Sequence, residues 1–261
     1  MDQLTGKGAL VCGGSRGIGR ACAVELAHRG AEVTVVSRTE ATLRDTVSTL
    51  ATGANQAHAY VCADSSDPVS YGAKIADHVK RRGPMHILVN NTGGPPAGLL
   101  SDAKPEHLAG AFANHVLCSQ LLVRTLLEGM KQAGYGRIIN IISTSVITPI
   151  KGLGVSNTIR GAVANWGRTL AGELGPFGIT VNNVLPGYFA TDRLMSLFET
   201  RAQNAGTSVE DITRNAVEEI PMHRLGEPAE IGAVVAFLAS PAASYLTGVN
   251  LPVDGGRTSR Q

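Results

Sequence analysis

The stretch Gly8, Ala9, Leu10, Val11, Cys12, Gly13, Gly14, Ser15, Arg16, Gly17, Ile18, Gly19 decides the fold of this chain. Residues 8–11 are a short apolar run that predicts a strand, and the glycines after it predict a turn. Ile18, Cys22 and Leu26 then recur at four-residue spacing with Arg20 and Glu25 off that stripe, which predicts a helix. Glycines without Cβ let the backbone approach a pyrophosphate closely, and the free N–H groups and dipole at the helix start favour the anion. A glycine turn alone is weak, because such turns join strands to helices in many proteins without a ligand.

Three further segments strengthen it. The apolar run 86–89 ends in Asn90, Asn91, Thr92, Gly93; the run 137–142 ends in Ser143; and 179–184 leads to Pro186 and Gly187, with Thr191 beyond. Each reads as a strand whose carboxyl end carries polar or glycine residues, and in an open parallel sheet those ends line the ligand crevice. In this order and spacing the segments closely resemble the short-chain dehydrogenase/reductase family. The resemblance covers the whole chain, including Arg224, Leu225, Gly226, Glu227, Pro228, the helix 231–238, Tyr245, Leu246, Thr247, Gly248 and Val253, Asp254, Gly255, Gly256. It implies an α/β, doubly wound Rossmann fold: a single parallel sheet of about seven strands with helices on both faces. One domain over residues 1–261 is expected, with a substrate lid at 191–221.

Composition agrees. A chain of 261 residues with 43% hydrophobic content can bury a full core, and no Pro- or Ser-rich linker or internal repeat divides it. A net charge of +2 gives no footprint for nucleic acid, and Lys80, Arg81 and Arg82 read as a solvated helix end. No apolar run approaches a membrane span, and Met1, Asp2, Gln3 do not begin a signal sequence, so a cytoplasmic protein is expected. Cys12, Cys22, Cys62 and Cys118 lack paired spacing and read as reduced core residues. The histidines lack the spacing of a zinc helix, so no metal is expected.

The end of the second strand, 33–36, bears on the cofactor. A ribose hydroxyl there calls for an acid and a 2′-phosphate for a guanidinium. Ser37 and Arg38 follow the strand, and Arg16 in the glycine turn supplies a second cation, which favours NADP(H) over NAD(H). Both arginines also read as ordinary solvated surface residues. The resemblance implies cofactor contacts from Gly13, Ser15, Arg16, Gly17, Ile18, Gly19, Ser37, Arg38, Asp64, Ser65, Asn91, Thr92, Gly93, Arg160, Pro186, Gly187 and Thr191, with Asp64 at the adenine. Thr92 replaces the alanine of the family's Asn-Ala-Gly element.

The resemblance breaks at the chemistry. In the family a serine stabilises the substrate carbonyl, a tyrosine protonates it, a lysine holds the nicotinamide ribose and lowers the tyrosine pKa, and an asparagine anchors a relay water. Ser143 matches the serine, but Ser156 stands at the tyrosine, Arg160 at the lysine and His115 at the asparagine. Ser156 and Arg160 are i and i+4 and share a helix face, so geometry is kept while acidity is lost. A phenol has a pKa of about 10; an aliphatic hydroxyl is far weaker, and arginine, above about 12, holds charge but shuttles no proton. A general acid is worth about 10² to 10⁴ in rate, or roughly 3 to 5 kcal/mol, whereas alignment of reactants supplies about 7 to 11 kcal/mol. Losing the phenol therefore need not abolish hydride transfer.

Replacement donors are Tyr188, best placed after Pro186 and Gly187 but equally a packing residue of the pocket; Lys151, which also reads as an exposed loop residue; His115, which on the stripe Leu108, Phe112, Ser119, Leu122, Leu126 reads first as a hydrogen-bonded interior histidine; or a water held by Ser143 and Ser156. The catalytic set is thus Ser143, Ser156, Arg160 and Tyr188, acting on a small carbonyl or alcohol substrate. A dehydratase or isomerase using the same crevice is the second possibility, and a catalytically silent cofactor-binding protein the third. Met195, Leu197, Phe198 and Ile212 in the lid suit an apolar substrate or pack on the domain, and Pro95 and Pro96 stiffen the opposite loop, 94–100. The family's members are usually homotetramers or dimers through helices that here span 106–132 and 155–174, where Trp166 lies.

Overall fold

A computed structural model describes residues 3–53 and 55–259. Met1 and Asp2, at the start expected to lack a signal sequence, lie outside the described residues. The strands are β1 Gly8–Cys12, β2 Glu32–Ser37, β3 Ala59–Cys62, β4 Ile87–Asn90, β5 Gly136–Ile141, β6 Ile179–Pro186 and β7 Asn250–Val253. They form one sheet in the order β3-β2-β1-β4-β5-β6-β7, with every neighbouring pair parallel. The order reverses between β1 and β4, and there the crevice of a doubly wound sheet opens. β4, β5 and β6 are buried along their whole length, which is why they show no polar-apolar alternation and why the polar residues they carry are buried too.

Helices cover both faces. On one, α1 (Gly17–His28) and α9 (Pro228–Ala239) lie together over Val11, Val33, Val35 and Val89, with Cys22, Leu26, Ile231 and Val235 turned inward. On the other, α3 (Pro68–Arg82), α5 (Cys118–Gln132) and α6 (Gly154–Leu174) cover Leu10, Leu88, Ile138 and Val181. α2 (Glu40–Ser48) follows β2, and α4 (Pro105–Phe112) precedes α5. Trp166 donates to Gln120 at 2.8 Å and so joins α6 to α5. At the end of α3, Arg81 pairs with Asp77 and Arg82 with Glu32. The four cysteines are free thiols.

The expected single helix 106–132 is interrupted. Residues Ala113–Leu117 form a π-helical turn between α4 and α5, with His115 in its middle. Such wide turns distort the helix ladder and commonly sit at functional sites.

The sheet also carries a polar seam. Asn90, Asn140, Asn183 and Asn250 stand opposite one another across β4, β5, β6 and β7. Each side-chain amide donates to the next carbonyl, at 2.9, 2.8 and 2.8 Å, and Asn183 also donates to the Ala164 carbonyl at 3.2 Å. Gly167 lets α6 lie against this seam, since a Cβ there would come within 2.7 Å of Asn183 Oδ1.

Between β6 and β7 lie α7 (Asp192–Ala205) and α8 (Val209–Glu218). Their apolar residues form a cluster of their own, in which Tyr188, Leu194, Phe198, Ala216 and Ile220 are buried and Met195, Leu197 and Ile212 pack around them. The apolar side chains of 191–221 thus pack on one another and on Tyr188 and Leu225, with Met195, Leu197 and Ile212 left partly exposed.

Candidate active site at the carboxyl ends of the strands

The turn after β1 is held open by contact with its neighbours. Gly13, at φ +58°, has no room for a side chain, because a Cβ would lie 2.6 Å from the Asn91 carbonyl oxygen; at Gly19 a Cβ would lie 2.1 Å from the Gly13 oxygen. Asn91 crosses from β4 to donate to the carbonyls of Cys12 and Gly13 at 3.3 and 3.4 Å. Gly17, at φ +52°, faces the Thr191 side chain. Arg16 caps α1 without a side-chain hydrogen bond, so the first-turn N–H groups are left to a ligand or solvent. The Ser15 carbonyl receives Thr46 Oγ1 at 3.3 Å, and Ile18 is half-buried against the core.

At the end of β2, Ser37 Oγ is buried without a hydrogen-bond partner, and Arg38 is exposed beside it. Neither Arg16 nor Arg38 forms an ion pair among the described residues. Asp64 is exposed, and its carboxylate accepts the Ser66 N–H at 2.9 Å, which holds its pKa below the ordinary value. The neighbouring Ser65 carbonyl receives Cys118 Sγ at 3.2 Å.

Ser143 stands where β5 ends, its Oγ accepting the Ser145 N–H at 3.1 Å, and Ser156 is half-buried in the first turn of α6. One turn on, Arg160 is buried. Its guanidinium donates to the Ile141 carbonyl at 3.0 Å and the Thr92 carbonyl at 3.4 Å, tying α6 to the ends of β5 and β4. Burial, with Arg193 adding like charge, pushes its pKa down to about 10, so it remains a cation at neutral pH. Arg193, at the start of α7, donates to the Pro95 carbonyl at 3.0 Å and bridges to the opposite loop. Nothing in the sequence singled out this residue; the lone hint is a cation two positions beyond Thr191.

His115 is buried and bonded through Nδ1 to the Thr92 hydroxyl, while Ser119 Oγ donates to its carbonyl at 2.7 Å. Burial, helped by the Arg160 charge, lowers its pKa from 6.5 to about 3. It is neutral at physiological pH and no acid there. Between those two values the unfolded chain binds a proton that the folded chain refuses, so stability rises with pH across that window. Each unit below pH 6.5 is expected to cost about 1.4 kcal/mol at this position. Thermal melts of His115→Asn should show a smaller loss between pH 6.5 and 5 than the parent; equal losses would assign the acid sensitivity elsewhere.

Tyr188, expected as a donor from its place after Gly187, has its ring and hydroxyl engaged by Phe198, Arg257 and Arg201. A parallel bridge of Phe189 with Gly226, closed by Gly226 N–H to the Tyr188 carbonyl at 2.9 Å, turns its ring toward α7. There it meets Phe198 edge-on at 5.7 Å, lies 4.5 Å beneath the Arg257 guanidinium, and accepts from Arg201 at 3.3 Å. Lys151 is exposed. A cavity of about 570 Å³ opens beside the strand ends, lined by Gly93, Gly94, Pro95, His115, Asn114 and Val155 among others; Val155 adjoins Ser156 and Gly94 adjoins the two guanidinium groups, while Ser143, Ser156, Arg160, Arg193 and Tyr188 are not themselves part of its wall. Pro186 is buried, and Gly187 lies so close to Asp254 that a Cβ would come within 2.7 Å of it. Thr191 caps α7 by accepting the Leu194 N–H at 3.3 Å.

A family model described as enoyl-(acyl carrier protein) reductase matches residues 13–258. The chain belongs to the short-chain dehydrogenase/reductase family. Within that family it is 36% identical to the short-chain reductase protein NovJ of Streptomyces niveus, over 95% of this chain and 93% of NovJ. It is 35% identical to a 3-oxoacyl-(acyl-carrier-protein) reductase of Vibrio cholerae, over 97% and 98% of the two chains. The structure of L-sorbose reductase from Gluconobacter frateurii, solved with NADPH and L-sorbose, superposes with a TM-score of 0.92 at 27% identity and covers 100% of both chains. These short-chain dehydrogenases/reductases are named as reductases, and redox chemistry is the family's ground. Among the described residues no helix is long and apolar enough to cross a membrane.

Proposed function

We propose that this chain is an NADP(H)-dependent oxidoreductase that interconverts a carbonyl and an alcohol, with a water rather than a phenol supplying the proton. What carries the proposal is the buried Arg160 cation, fixed to the ends of β4 and β5 beside Ser143 and Ser156. The relatives named as reductases, and the neighbour solved with NADPH, support the same cofactor.

The tight turn at Gly13, Ser15, Arg16, Gly17, Ile18 and Gly19 would take the pyrophosphate. Ser37 with Arg38 and Arg16 would take the 2′-phosphate, and Asp64 and Ser65 the adenine. Asn91, Thr92, Gly93, Arg160, Pro186, Gly187 and Thr191 would hold the nicotinamide half. The bound cofactor would supply a hydride to the carbonyl carbon. Ser143 and Ser156 donate hydrogen bonds to the substrate oxygen, and Arg160 holds a fixed positive field where charge gathers on it. A water retained by the two serines gives that oxygen its proton, and the resulting hydroxide is neutralised by solvent. Neutral His115 positions Thr92, whose carbonyl also receives Arg160. Residues 191–221 form the flank that would cover the substrate.

NADPH mixed with a broad ketone and quinone panel should lose nicotinamide absorbance in step with alcohol formed; tight cofactor binding without turnover of any member would refute the proposal. Arg38→Ala should weaken NADPH binding by about 10- to 100-fold and leave NADH binding unchanged, since a charge-assisted pair to a phosphate is lost. Equal weakening of both cofactors would remove Arg38 from the 2′-phosphate.

A further inference from the structure

Two cations reach one opening, and no side-chain carboxylate among the described residues pairs with either. A side chain at position 94 would place its Cβ 3.1 Å from Arg193 Nη2 and 3.9 Å from Arg160 Nη2, so bare Gly94 keeps a gap into which both guanidinium groups reach. The two arginines come from different elements, α7 and α6, and neither forms an ion pair among the described residues. Arg160 uses two of its five N–H donors on carbonyls, and Arg193 has one recorded bond, to Pro95. Asp192 precedes Arg193 and Asp102 lines the cavity, yet neither carboxylate pairs with either arginine. His115, which also faces Arg160, is neutral. Arg160 is buried and Arg193 exposed, and the Arg193 charge adds to burial in lowering the Arg160 pKa, a repulsion that an anion bound by Arg193 would relieve.

We propose that Arg193 binds a carboxylate of the substrate, with the buried Arg160 adding positive field behind it, so that the chain acts on an oxo acid or hydroxy acid in preference to a neutral ketone or alcohol. This rests on the oxidoreductase assignment above and narrows its substrate class. The alternative source of negative charge is the cofactor's own pyrophosphate. Position favours the substrate: Thr191 is the residue that faces Gly17 of the pyrophosphate turn, whereas Arg193 donates to Pro95, which with Gly94 lines the cavity of about 570 Å³. The planar guanidinium fork suits a carboxylate's two oxygens.

Calorimetric titration of the NADP⁺-saturated protein with pyruvate, acetoacetate and levulinate, each against its methyl ester, tests this across three spacings of carbonyl and carboxylate. At least one acid should bind tenfold or more tighter than its ester. Arg193→Gln should weaken that acid about 10- to 100-fold while leaving the ester and NADPH binding unchanged. Esters binding as well as all three acids, or an acid unaffected by Arg193→Gln, would overturn the subsite. A parallel loss of NADPH affinity would reassign Arg193 to the cofactor and overturn it equally. Because binding is read directly, an acid that binds through Arg193 but is never reduced would sink the oxidoreductase assignment and leave the carboxylate subsite standing.

Discussion

Arg160→Met is expected to lower kcat/KM for NADPH-dependent reduction by about 10² to 10³, the usual cost of removing one fixed electrostatic donor from a transition state. Methionine fills much of the volume of the arginine stem but strands the carbonyls of Ile141 and Thr92, which the guanidinium satisfies at 3.0 and 3.4 Å. Two unpartnered acceptors should therefore also lower the melting temperature. Arg160→Lys separates the two effects: an ammonium keeps the charge and one of the carbonyl bonds, and should recover most of the rate but not all of the stability. Restoring the phenol as well, in Ser156→Tyr with Arg160→Lys, should move the pH profile toward that of a tyrosine acid. An unchanged kcat/KM in Arg160→Met would remove the cation from the chemistry and with it the account of how charge is stabilised without a phenol.

The legible part of this protein is its periodicity and its punctuation. The strands expected at 8–11, 33–36, 86–89, 137–142 and 179–184 differ from the observed ones at their ends by at most two residues, and the glycines at 13 and 19 sit where a Cβ has no room. These features are local: an apolar run, a turn residue or a helical stripe carries its own physical cause. The interruption at His115 was not legible, because Leu108, Phe112, Ser119 and Leu122 keep a helical stripe straight through Ala113–Leu117. A one-residue widening of the turn changes which carbonyls are free without changing composition. The contacts of Tyr188 were not legible for a different reason. Adjacency to Gly187 fixes where its Cα lies, but the bridge of Phe189 with Gly226, distant in sequence, decides which way the ring faces. Arg193 was missed likewise, since a charged residue in the first turn of an amphipathic helix looks solvated until its neighbour across the cleft is known. Spacing locates backbone; tertiary pairing aims side chains.

The asparagine seam follows the same division and leads to the largest expected loss of stability. Asn140→Ala should lower the stability by about 3 to 5 kcal/mol, because it strands the amide of Asn90 and the side-chain carbonyl of Asn183 in a dry interior and leaves a small void. For a chain of this size that corresponds to a fall of roughly 6 to 20 °C in melting temperature. Asn250→Ala, at the β7 end, should cost only about 1 kcal/mol, since Asn183 keeps its second acceptor at the Ala164 carbonyl. Equal losses at the two positions would mean that each asparagine acts alone, with no transmission along the seam. The gradient also matters for catalysis. Asn90 leads directly to Asn91 and Thr92, Asn140 lies three residues before Ser143, and Asn183 lies three before Pro186, so the seam fixes the relative height of three strand ends at once. A substitution that loosens it should therefore lower kcat/KM at temperatures well below its own melting point, whereas a purely local cavity would leave the rate of the folded fraction untouched.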